Sequence, residues 1–70
     1  MIEVVVDFYE DDSDMAKSEG YFRILDKYDA LGIGNDKSRN SSIFIDNSRL
    51  SELKNELHNL EIKVIKVLND

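Results

Sequence analysis

The chain has 70 residues, of which 41% are hydrophobic and 34% are charged, and this balance favours a folded domain over a disordered segment. It contains no cysteine, which excludes disulfides and thiolate metal sites, and its net charge of -6 argues against direct binding to nucleic acid. No apolar run approaches the length of a membrane span. We therefore expect one cytoplasmic α/β domain over residues 1–70, without membrane contact.

The N-terminal segment predicts a β-strand over Ile2–Tyr9, because its residues are β-branched or aromatic. Alternation places Val5 and Tyr9 on one face and four apolar residues on the other: Ile2, Val4, Val6 and Phe8. Both faces are therefore expected to be partly buried. The acidic segment that follows supplies loop and N-cap residues, so a helix should begin near Asp14.

The positions after Met15 predict a helix, because apolar residues recur there at helical spacing: Tyr21, Ile24, Leu25, Tyr28 and Leu31. Gly32 followed by Ile33 resembles a glycine C-cap with its hydrophobic contact. Gly20 weakens a helix by about 1 kcal/mol relative to alanine. Gly20–Leu25 could therefore form a strand instead, and this alternative stays open.

The second half of the chain predicts a loop, a strand, a helix and a strand. Gly32–Ser42 contains two of the three glycines and is expected to be a mobile loop that exposes Lys37 and Arg39. A short strand, Ser42–Asp46, should follow. Asn47 or Ser48 then caps a helix with a stripe of four leucines: Leu50, Leu53, Leu57 and Leu60. The last strand should cover Ile62–Leu68, where Lys63 and Lys66 suggest a sheet edge.

The element order β-α-β-α-β predicts a small α/β domain with a three-stranded, mostly parallel sheet and two helices. Strand 1 could be central, with the helices on opposite faces of the sheet. In the order 1-2-3, both helices share one face. That arrangement leaves Val5, Phe44, Ile65 or Val67 partly bare, and a bare face or an open edge of strand 1 would suit a homodimer.

The excess negative charge is N-terminal. Residues 17–70 carry nine acids and nine bases, whereas residues 1–16 carry no base and six acids: Glu3, Asp7, Glu10, Asp11, Asp12 and Asp14. Clustered carboxylates on a rigid scaffold can bind an Arg/Lys-rich surface, including a groove built for nucleic acid. These six acids are the predicted partner-binding site.

The same acids suggest an alternative metal site. If the strands are parallel, their carboxyl ends bring together four carboxylates that could hold a hard cation: Asp7, Glu10, Asp12 and Asp46. As a calcium loop the segment is incomplete, because Met15 and Tyr21 stand where the turn glycine and the closing glutamate belong. We predict no metal and no cofactor.

The sequence offers no catalytic constellation. Its one histidine, His58, lies near the predicted end of the leucine-striped helix, where the helix dipole favours it, and no nucleophile–base pair can be named. The spacing of four aromatic residues fits core packing better than base stacking: Tyr9, Tyr21, Phe22 and Tyr28. We expect a protein that is not an enzyme.

These observations predict a non-catalytic acidic protein-binding module that acts as a small inhibitor or regulator. In size, acidity and absence of cysteine, the chain resembles the proteins that phages use against host nucleic-acid enzymes, including anti-CRISPR proteins. The resemblance is one of general character and includes no motif. It implies a protein partner with a basic surface, such as a nucleic-acid enzyme. The alternatives are a divalent-metal-binding or regulatory domain and a structural homodimeric accessory protein.

Overall fold

The computed structural model describes residues 1–69, so the predicted domain end at Asp70 lies outside the described residues. Its strands and helices are β1 (Ile2–Asp7), α1 (Met15–Lys27), β2 (Leu31–Asn35), β3 (Asn40–Ile45), α2 (Leu50–Asn59) and β4 (Lys63–Asn69). Short 3-10 turns, Glu10–Asp12 and Asn47–Arg49, precede the two helices. Within the described residues, no helix is long and apolar enough to cross a membrane.

The four strands form one sheet in the order β2-β3-β1-β4, and every neighbouring pair is antiparallel. The predicted three-stranded, mostly parallel sheet is therefore wrong. A β-α-β-β-α-β chain with this strand order has the split β-α-β topology called ferredoxin-like. Each helix connects two parallel strands that are not neighbours, because a third, antiparallel strand lies between them.

The missed strand is β2, which lies in the segment predicted to be a mobile loop. Its Gly32 faces the helices, where an added Cβ would lie 2.6 Å from Leu25 Cδ1 and 3.0 Å from the Tyr21 hydroxyl. Glycine at this position therefore permits close packing of β2 against α1, and it does not form a turn. The turn of the hairpin is shorter, and Asn35 closes it by accepting hydrogen bonds from the backbone N–H groups of Lys37 (3.0 Å) and Ser38 (3.2 Å).

Helix α1 ends at Lys27, so the predicted glycine C-cap at Gly32 is wrong. Asp29 instead adopts the left-handed conformation with φ 53°, and the Ala30 N–H donates to the Leu25 carbonyl at 2.8 Å. The strand alternative for Gly20–Leu25 is also wrong, since these residues are helical. An added Cβ at Gly20 would lie 2.8 Å from Leu60 Cδ2, so glycine lets α1 approach the end of α2.

Both helices pack on one face of the sheet, and the arrangement with helices on opposite faces is wrong. The core combines α1 and α2 side chains with the four residues that alternation assigned to one face: Ile2, Val4 and Val6 of β1, and Phe8 directly after it. β1 lies centrally between β3 and β4, while β4 forms an edge with its Lys63 and Lys66 exposed, as the sequence suggested. The opposite face of the sheet, here called the outer face, has no helix on it.

Candidate functional site

The fold distributes the six predicted acids over the sheet surface, the acidic turn and the start of α1. Glu3 and Asp7 lie on β1 with their side chains on the outer face, because they alternate with the buried Val4 and Val6. Glu3 accepts a hydrogen bond from the Ser42 hydroxyl at 2.7 Å, and Asp7 is paired in register with Lys63 of β4. Glu3 therefore belongs to the sheet surface alone, whereas Asp7, at the end of β1, also lines a recess of about 300 Å³ together with Asp12 and Asp14.

Asp12 forms an ion pair with a base distant in sequence. The guanidinium of Arg39 donates to both of its carboxylate oxygens, one through Nε at 2.9 Å, and it also lies over the ring of Tyr9 at 4.3 Å from the centroid. The hydrogen bond from Arg39 lowers the pKa of Asp12 below its usual value. The pair links the acidic turn to the β2–β3 hairpin and neutralises one of the predicted acids.

Asp14 has a structural role at the N-terminus of α1. Its Oδ1 accepts the backbone N–H of Lys17 at 2.7 Å, which satisfies a donor that has no partner within the helix. The prediction of a helix start near Asp14 is confirmed by this N-cap.

Replacing Asp14 with alanine is therefore expected to lower the free energy of unfolding by about 1 kcal/mol, as the loss of an N-cap usually does. Thermal unfolding followed by circular dichroism measures the change. The matched control is Asp11→Ala, which removes the same charge from an exposed side chain without a cap hydrogen bond. Equal melting temperatures for the two variants would contradict the capping role.

The remaining two acids, Glu10 and Asp11, border a recess of about 290 Å³ between the acidic turn, α1 and β2. Glycines and a serine line it on the sheet side, at Gly32, Gly34 and Ser41, and its other walls are aromatic: Phe8, Tyr9, Tyr21 and Phe22. We call this feature the aromatic recess. The glycines leave it open, because a Cβ at Gly34 would lie 3.2 Å from Tyr9 Cε1.

The recess contains a buried hydroxyl without a hydrogen-bond partner. The ring of Tyr21 is stacked on Phe8 at 4.2 Å between centroids, and its Oη makes no hydrogen bond within residues 1–69. Ser41 is close, but its hydroxyl donates to the Phe8 carbonyl at 2.8 Å. Burial raises the pKa of Tyr21 to about 12, and the nearby Ser41 hydroxyl opposes this shift. Tyr21 is therefore a neutral phenol with a free donor and a free acceptor.

The alternative metal site depended on parallel strands. In the antiparallel sheet Ile2 is paired with Ile45, so Asp46 lies at the end of the sheet opposite to Asp7, and the two carboxylates do not converge. Asp46 accepts a hydrogen bond from the Ser48 hydroxyl at 2.7 Å, which lowers its pKa. No group of three or more possible ligands close enough for a metal ion occurs among the described residues.

Comparison with family models, curated proteins and solved structures gives no match. The ferredoxin-like topology alone does not assign a function, since such folds carry many unrelated activities. Sequence reasoning placed the aromatic residues in the core and so missed the recess. Tyr21 does lie in the core, but the side chain of Phe22 is 43% exposed beside the acidic turn. An available signal was the alternation Gly32-Ile33-Gly34, which marks a strand with a bare face.

Proposed function

We propose that this protein is a non-catalytic protein-binding module whose aromatic recess receives a basic side chain of a partner protein. Two exposed carboxylates at the rim of the recess, Glu10 and Asp11, are the main support. Neither belongs to an ion pair within the described residues, unlike Asp12, which Arg39 neutralises. Their free negative charge next to aromatic rings favours a cation.

The recess suits a lysine or arginine side chain better than a cofactor. Its volume of about 290 Å³ is at the lower limit of small-molecule pockets, which measure roughly 300–1,000 Å³. The aliphatic part of a long basic side chain would contact Phe22, and its charged end would lie near Glu10 and Asp11. A cation over an aromatic face contributes about 0.5–2 kcal/mol.

The partner class is a protein with a basic surface, for example a nucleic-acid enzyme, and the module would act as its inhibitor or regulator in the cytoplasm. The net charge of -6 would accelerate the encounter with such a surface, because complementary charges steer association. Carboxylates would then occupy positions that phosphates otherwise take. Binding should weaken as salt is added, since exposed charges are screened.

A titration with a labelled arginine- and lysine-rich peptide tests this proposal. The wild type is compared with the double variant Glu10→Gln, Asp11→Asn and with a matched control, Glu19→Gln, Asp26→Asn, whose two exposed acids lie on α1. Fluorescence anisotropy measures the affinity, and the ring signals of Phe22 and Tyr9 report the location by NMR. We expect the recess variant to lose about tenfold in affinity, equivalent to about 1.4 kcal/mol, while the control keeps the wild-type value.

Affinity capture from lysate of the native host with the same three proteins extends the test to natural partners. A basic protein retained by the wild type and the control, but lost from the recess variant, agrees with the proposal. Equal affinity of the wild type and the recess variant for the peptide would contradict it. So would equal losses in both variants, because binding would then depend on total charge rather than on the recess.

A further inference from the structure

The outer face of the sheet carries apolar side chains in two adjacent rows, interrupted by Glu3, Ser42 and Lys66. In register, Leu31 lies beside Phe44 in the first row, which continues through Glu3 to Leu68. The second row runs from Ile33 through Ser42 and Val5 to Lys66. Four apolar side chains of this side of the molecule are substantially exposed: Leu31 at 61%, Ile33 at 52%, Ile65 at 50% and Leu68 at 42%. Exposed apolar surface of this kind marks an interaction site.

The charge of the outer face differs from that of the rest of the chain. Its strand residues carry two acids, Glu3 and Asp7, and two bases, Lys63 and Lys66, so their formal charges sum to zero. The chain as a whole carries -6, and the excess therefore lies elsewhere. A basic partner would be attracted to the helix side rather than to this face. A second copy of the outer face, in contrast, is neutral and meets no like-charge repulsion here.

We propose that the outer face binds a second copy of this chain, with the two sheets packed face to face about a two-fold axis. Such an interface is self-complementary, because each copy supplies the same surface. Glu3 and Lys66 lie in adjacent rows on adjacent strands, so a two-fold rotation can set the acid of one copy against the base of the other. The aromatic recesses lie on the helix side and remain open in both copies.

The area of the outer face indicates which class of dimer interface it can form. Strands about 4.8 Å apart with a rise of about 3.3 Å per residue give four strands a flat area of roughly 400 Å² per copy. Both copies together then bury at least roughly 800 Å², which is below the roughly 1,200–2,000 Å² of stable interfaces and in the range of weak, transient ones. The total surface of the chain is 4759 Å², so roughly 400 Å² per copy is less than a tenth of the surface of each copy. The dimer is accordingly expected to be weak and reversible.

Sedimentation velocity over a range from low micromolar to sub-millimolar protein tests the proposal. The wild type should shift from 8.1 kDa towards twice that mass as the concentration rises. Ile33→Lys places a charge beside Leu31 at the β2 end of the two rows and should weaken association at least tenfold. The matched control is Met15→Lys, which makes the same change at a side chain 78% exposed at the start of α1 and should associate like the wild type.

A charge exchange adds a second readout that a folding defect cannot imitate. Glu3→Lys gives the outer face a charge of +2, and Lys66→Glu gives it -2, starting from the neutral wild type. Each variant alone should dimerise at least tenfold more weakly, and an equimolar mixture should recover association. A wild type that stays at 8.1 kDa at every concentration would overturn the proposal. So would a mixture that associates no better than the separate variants. Neither result would affect peptide binding at the recess, which is measured independently.

Discussion

Replacing Ile43 with alanine should lower the free energy of unfolding by about 2–5 kcal/mol, the usual loss for a large aliphatic side chain removed from a core. Ile43 is fully buried on β3, paired with Val4 of β1 and Gly32 of β2. Domains of this size have a total stability of about 5 kcal/mol or less. A large part of the variant is therefore expected to be unfolded at room temperature.

Ile33→Ala is the matched control for Ile43→Ala, because it removes the same atoms from the neighbouring strand. Ile33 is 52% exposed on the outer face, so its truncation should cost less than about 1 kcal/mol. Urea unfolding at submicromolar protein, where self-association is absent, measures both changes. Equal losses would mean that the two sheet faces are equally buried, which contradicts the placement of both helices on one face.

Replacing Tyr21 with phenylalanine should have the opposite effect and raise the free energy of unfolding by about 1 kcal/mol. A buried polar group without a partner costs about 1–3 kcal/mol, and the substitution removes that group while it keeps the ring stacked on Phe8. Urea unfolding again provides the measurement.

The control for Tyr21→Phe is Tyr28→Phe, in which the lost hydroxyl has a partner. Tyr28 Oη donates to Glu56 Oε2 at 2.6 Å, and Lys27 Nζ donates to the same oxygen at 2.7 Å. Removal of the tyrosine hydroxyl should therefore lower the free energy of unfolding. If both substitutions raise the free energy of unfolding, or both lower it, the hydrogen-bond partner of the hydroxyl does not decide the direction of the change.

Tyr21 also predicts a loss of stability at alkaline pH. Its pKa is about 12 in the folded chain and about 10 when unfolded, so between these values the folded state holds a proton that the unfolded state has released. The stabilisation is fully present below pH 10 and is lost as the pH rises towards about 12. Urea midpoints measured from about pH 9 to about pH 11.5 should fall less in Tyr21→Phe than in the wild type. Parallel curves would contradict the raised pKa.

Local patterns in the sequence were sufficient for several elements. Alternating β-branched residues predicted β1 and its buried face, the leucine stripe predicted α2, and two lysines predicted that β4 is an edge strand. The acidic residue before Met15 predicted the start of α1 through its capping chemistry. These predictions succeeded because propensity, alternation and capping depend on neighbouring residues only.

The same reasoning from local patterns could not predict β2. Gly32 and Gly34 have the composition of a loop, but their lack of side chains serves contacts with Leu25, Tyr21 and Tyr9, which are distant in sequence. Without β2, the order of elements favoured parallel strands, and the carboxylates of Asp7 and Asp46 were expected to meet. Because β2 was missed, the predicted sheet was mostly parallel instead of antiparallel. The alternative metal site was therefore predicted from carboxylates that do not meet.

The sequence by itself determined how much charge the chain carries, that it has no thiol chemistry, where α2 and three of its strands lie, and where α1 begins. Only the tertiary structure decided the use of each acid: Asp14 caps a helix, Asp12 pairs with Arg39, and Glu10 and Asp11 remain free beside the aromatic recess. It also decided that both helices cover one face and leave the other bare. The reason is physical, because pairing between strands and burial of side chains join residues far apart in the chain, and no local pattern records which ones will meet.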